Sequence, residues 1–99
     1  MSIANELITR GWGRGNYEDA EGRVCLAGAA RYSVGSADRL DFRHALVAVF
    51  AALPADARRG GTDQWHAIFI GNWNDAPERT FDEVLRVAKM ADEILDGLA

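Results

Sequence analysis

Ninety-nine residues, 48% of them apolar and 26% charged, describe one globular domain with too much apolar content for a disordered chain. The net charge of −4 comes from the second half: residues 1–50 carry six acids against six arginines, residues 51–99 nine acids against five bases. That imbalance argues against a phosphate-binding surface in the C-terminal half and leaves a solvated acidic helix face as its plain reading.

Ser2 is placed to cap a first, two-turn helix carrying Ile3, Ala4, Leu7 and Ile8 on one stripe, with Gly11 as its stop. Residues 11–23 are rich in turn formers, and Glu21-Gly22 between Tyr17 and Val24 suits a tight turn between two short strands. From 24 to 33 the spacing of Cys25, Leu26, Ala29, Ala30 and Tyr32 predicts a short helix, closely packed at Gly28 and ended by Gly35. The next helix starts at Ser36 or Asp38 and runs to Leu53 before Pro54. Phe42, Leu46, Val49 and Leu53 form its stripe; Val47 and Phe50 widen it, so it is expected to be the buried central helix.

Residues 55–61 look like a surface connection. Thr62 then precedes a helical stripe of Trp65, Ile68 and Phe69 reaching about Asn72, with a strand over 67–70 as the competitor. Trp73-Asn74-Asp75-Ala76-Pro77 is a turn, and Pro77 keeps Ala76 out of helical geometry. Thr80-Phe81-Asp82-Glu83 is a capping box for a last helix with the stripe Phe81, Val84, Leu85, Ala88, Ala91, Ile94, Leu95 and Leu98. Arg79 stands where a hydrophobic staple would want an apolar residue. The expected fold is mainly α: a single domain over 1–99, a compact bundle of about five helices, with a two-stranded hairpin near 15–24 as an option.

Chemistry is sparse. Cys25, read in the first turn of its helix where the dipole lowers a thiol pKa, makes a Cys-His site with His66 conceivable, oriented by Asn74 or Asp75. Against it, a lone cysteine is ordinarily a small buried hydrophobe, and His44 falls inside the central helix. One Cys and two His spread along the chain lack zinc-site spacing, so no metal is expected. The glycines at 11, 13 and 15 match neither phosphate-loop pattern, and no cofactor is expected. Trp12 and Trp73 in turn regions, with Arg14, Tyr17, Arg23 and Asp75, have the residue types of an interface, although tryptophans also pin loops to a core. The single cysteine makes the cytosol the expected compartment. Residues 1–20 show no leader pattern, and the longest apolar run, Ala45 to Leu53, falls short of the ~20 residues that span a bilayer.

The blocks Gly11-Trp12, Asp19-x-x-Gly22-Arg23-x-Cys25-Leu26-x-Gly28-Ala29 and Trp73-Asn74-Asp75-Ala76-Pro77-x-Arg79-Thr80 with Glu83-Val84 resemble a family of small actinobacterial and phage proteins known only as a domain of unknown function. The likeness covers most of the chain; Glu78 departs from it where glycine is expected. It implies a cytoplasmic setting and transfers no catalytic residue. The expected function is a small non-enzymatic interaction or regulatory protein, phage-encoded on this resemblance, with a protein partner or a second copy of itself. A Cys25-dependent hydrolase or transferase is the alternative, and a nucleic-acid adaptor using the Arg-rich half is the least favoured, given the acidity.

Overall fold

The first helix cannot satisfy its own leading N–H groups, and two residues at opposite ends of the chain do so. Ser2 Oγ accepts from Asn5 N–H at 3.1 Å, while the Asp92 carboxylate accepts from Ile3 N–H at 2.8 Å, Ala4 N–H at 3.1 Å and the Ser2 hydroxyl at 2.8 Å. The computed structural model describes residues 2–34, 39–58 and 66–97. They form α1 (Ile3–Arg10), α2 (Leu26–Ser33), α3 (Arg39–Ala52), a 3-10 turn (Ala55–Arg58), α4 (His66–Asp75) and α5 (Phe81–Gly97). The fold is a compact helical bundle with no strand among the described residues.

α3 touches three helices, as a central helix does, but the helix buried most completely is α2. Leu26, Ala27, Gly28, Ala29 and Ala30 are all buried, and α2 touches α1, α3 and α4. Small side chains let three neighbours close around it, which is how so short a helix comes to be buried. α3 packs on α5, α2 and α4 and buries Ala45, Ala48, Val49 and Ala52, while Val47 faces solvent at 41% exposure; its wide apolar character does not mean burial all round. α5 buries Val84, Val87, Ala88 and Ala91, leaving Phe81 and Ile94 at its margins.

A compact loop stands where the sequence offers a two-stranded hairpin as an option. Residues 12, 18 and 24 make only two isolated bridges, Trp12 with Val24 and Glu18 with Val24. The turn between them is closed locally: Asp19 Oδ1 accepts from the N–H groups of Glu21 and Arg23, both at 2.9 Å, and Oδ2 from Arg23 Nε at 2.7 Å. Gly22 takes a left-handed φ of +83° there, which side chains disfavour. α2 begins at Leu26, later than the pattern suggests, because Cys25 is its cap. α4 is helix over the ambiguous 67–70 stretch and extends through Asp75. The proposed starts at Thr62, Ser36 and Asp38, the stop at Gly35 and the residues Trp65 and Leu98 lie outside the described residues.

The capping box forms as expected. Thr80 Oγ1 accepts from Glu83 N–H at 3.3 Å, and Glu83 Oε1 accepts from Thr80 N–H at 3.0 Å. The Thr80 N–H and then the Thr80 hydroxyl and Arg79 hold the Glu83 carboxyl below its ordinary range, against some desolvation. The loop meets α2 at Gly28, where an added Cβ would overlap the Tyr17 carbonyl oxygen and lie 2.8 Å from its carbon. The obstruction is backbone on both sides, so neither can swing away. Gly28→Ala is expected to lose about 2–4 kcal/mol, read as a fall of roughly 10 °C or more in the thermal midpoint; an unchanged midpoint would contradict this close approach.

Candidate functional site

The site is organised by Asn74, in the last turn of α4 and fully buried. Its Oδ1 accepts from the Trp12 indole N–H at 2.7 Å and the Leu26 N–H at 3.1 Å. Its Nδ2 donates to the Gly13 carbonyl at 3.1 Å and to Asp75 Oδ1 at 3.0 Å. An amide has two acceptor positions and two donors, and all four are used. One side chain therefore joins the loop, the start of α2 and the end of α4. Asp75 Oδ1 also accepts from Gly15 N–H at 3.0 Å, which ties the loop down a second time.

Trp12 and Trp73 lie on two sides of this knot. The Trp12 ring stacks on Phe81, with centroids 6.2 Å apart, and the Arg14 guanidinium lies 4.5 Å from its ring centre. Arg14 also donates to the Arg79 carbonyl at 2.7 Å. Trp73 is not in a turn: it belongs to α4 and is 7% exposed. Arg79 takes the place of the missing staple. Its Nε donates to the Trp73 carbonyl at 2.8 Å, its guanidinium covers the Trp73 ring at 4.1 Å, and Nη1 donates to Glu83 Oε2 at 2.9 Å. A cation thus ends one helix and pairs with the first turn of the next.

Between the loop, α2 and α4 opens a cleft of about 310 Å³, lined by Gly15, Asn16, Tyr17, Cys25, Ala27, Ala67, Gly71 and Asp75. Of the interface candidates, Tyr17 and Asp75 line it. Trp12 and Arg14 belong to the same loop but are not in the lining. Arg23 is engaged within the loop, paired with Asp19 and Glu21 at 2.7 Å each. Trp73 belongs to a different, smaller cleft with Phe69, Asn72 and Arg79.

Cys25 does not sit in the first turn of α2 but caps it, its Sγ accepting from Gly28 N–H at 3.4 Å. Burial pushes its thiol pKa up and the Asp75 carboxylate adds to that, against the N–H groups of Gly28 and Ala27. The lowered pKa expected from the helix dipole is therefore reversed by desolvation. His66 is buried at the start of α4, its ring stacked on Phe50 at 4.2 Å between centroids, and is not in the lining that Cys25 shares. His44 is exposed in a third cleft with Asp41, Asp92 and Asp96. Among the described residues, no group of three or more His, Cys, Asp or Glu is placed to hold a metal ion, and no helix is long and apolar enough to cross a membrane.

Sequence reasoning gives Asn74 the roles of turn former and histidine orienter, not of a four-way anchor, and does not single out Gly71 or Ala67 as site residues. An isolated glycine within a helical pattern was the signal available for Gly71. Removing the Asn74 amide would orphan the Trp12 and Leu26 N–H groups and the Gly13 carbonyl. Asn74→Ala is expected to cost about 3 kcal/mol or more, seen in urea unfolding, whereas a loss under about 1 kcal/mol would mean that water replaces the amide.

No curated protein and no solved structure matches the chain. A family model described as a family of unknown function, DUF6197, matches residues 2–93; with its loop, its Asn74 knot and its capping box all inside that span, the chain belongs to this family.

Proposed function

We propose that the protein is a small non-enzymatic recognition module that holds part of a protein partner in the cleft between the loop, α2 and α4. The observation that carries this reading is Gly71. It lies inside α4, its φ is not left-handed, and an added Cβ would meet nothing within 4 Å. Neither backbone conformation nor packing calls for glycine there, and glycine in a helix interior costs about 0.5–1 kcal/mol relative to alanine. What the glycine does is leave the cleft open. Stability given up for an open, preformed hollow is the usual mark of a binding site.

The cleft supports binding better than catalysis. Its nucleophile candidate, Cys25, has its thiol pushed towards the neutral form, and the thiolate is the reactive species. Its loop wall is held by hydrogen bonds from Gly15 and Trp12, so little ordering is needed when a partner docks. The resemblance to actinobacterial and phage proteins makes a host or phage protein the partner class of this proposal, and the cytoplasm its setting.

Gly71→Ala is expected to raise stability by about 0.5–1 kcal/mol. Gly71→Leu is expected to fill the cleft, keep the fold by circular dichroism and abolish partner capture from host lysate. Capture that survives Gly71→Leu in a folded protein would contradict the assignment. Trp73→Ala is the poorer probe, because Trp73 is core and its loss tests folding.

A further inference from the structure

The lining of the cleft is uneven in charge. Asp75 is its one charged residue among the described residues; Tyr17, Cys25, Ala27, Ala67 and Gly71 give mostly apolar walls, with Asn16 at the loop. Asp75 is exposed and forms no ion pair with a described residue. Its two oxygens are not equivalent. Oδ1 already accepts from Gly15 N–H and Asn74 Nδ2, whereas Oδ2 accepts no hydrogen bond from a described residue.

That asymmetry selects among cations. A guanidinium binds a carboxylate best with two parallel hydrogen bonds, one to each oxygen, and here one oxygen is saturated. An ammonium is a compact point charge that needs one strong acceptor and carries an apolar stem. The space, about 310 Å³, lies at the small end of the range for ligand pockets, which suits one long side chain.

We propose that the cleft receives a lysine side chain of the partner protein, its methylene stem along Ala27, Ala67 and Gly71 and its ammonium on Asp75 Oδ2. This rests on the recognition reading above and adds the chemistry of what is recognised. No bond is made or broken.

The test titrates the protein with three short blocked peptides, identical except for a central lysine, arginine or norleucine, followed by amide NMR at Gly15, Gly71 and Asp75. The lysine peptide is expected to shift these signals and to bind about threefold more tightly than the norleucine peptide, the scale of one solvent-exposed ion pair. It is expected to bind more tightly than the arginine peptide, and to weaken with salt. Asp75→Asn, which keeps an acceptor for Gly15, is expected to remove the lysine preference; Gly71→Leu, which leaves Asp75 intact, is expected to remove binding altogether. Norleucine binding as well as lysine, arginine binding more tightly, or no shift with any peptide at millimolar concentration would each overturn the lysine assignment. Partner capture that is still lost in Gly71→Leu would then show that the cleft binds something else; capture that persists would remove the recognition reading as well.

Discussion

A single buried amide holds this protein's parts in register. The described residues form short helices, and two of the smallest, α1 and α2, span only eight residues each, lengths that do not persist in water unaided. Burial brings them together without fixing where the long loop between them lies. Asn74 does that, because each of its four hydrogen-bonding positions meets a different partner group. A buried polar network specifies one arrangement when every member is satisfied and penalises any other; no buried side-chain nitrogen or oxygen among the described residues lacks a partner.

Two glycines show how the same residue serves opposite ends. Gly28 is required by contact: the Tyr17 backbone occupies the space a side chain would need, so the loop can lie directly on α2. Gly71 is required by nothing in contact with it. The first lets two walls approach; the second lies on the third wall, α4, where it lines the cleft. With Asn74 and Asp75 anchoring the loop from the end of α4, the cleft is a consequence of the fold's main constraint and not an accident of loose packing. Asp75 links the two roles, one oxygen joining the anchor and the other accepting from no described residue.

Local signals were legible where local chemistry decides. The Thr80–Glu83 capping box and the Ser2 cap are set within a few residues, and each forms as its spacing implies. The bundle of helices followed from periodicity. What escaped were effects of distant partners. Asp92 caps a helix nearly the whole chain away, and α2 is buried because small residues let neighbours close on it, whereas the more apolar α3 keeps an exposed side. Cys25 was read one turn-position too deep: a helix dipole favours its thiolate, but burial outweighs it. Trp73-Asn74-Asp75 carried turn-forming residues and an adjoining proline, yet tertiary hydrogen bonds hold those three in helix. Tyr17 and Asp75 were singled out for their residue types and do share a cleft, whereas Gly71 contributes by an absence of atoms, which residue-type reasoning overlooks.

The account turns on the Asn74 knot being closed in solution, because the loop wall of the cleft depends on it. Hydrogen exchange at the Leu26 amide and the Trp12 indole N–H, the two donors to Asn74 Oδ1, measures this directly. Both are predicted to exchange together, only through global unfolding and with its dependence on denaturant. Exchange of the Trp12 indole many times faster than Leu26, insensitive to denaturant, would mean that the loop opens on its own and that the cleft is not preformed.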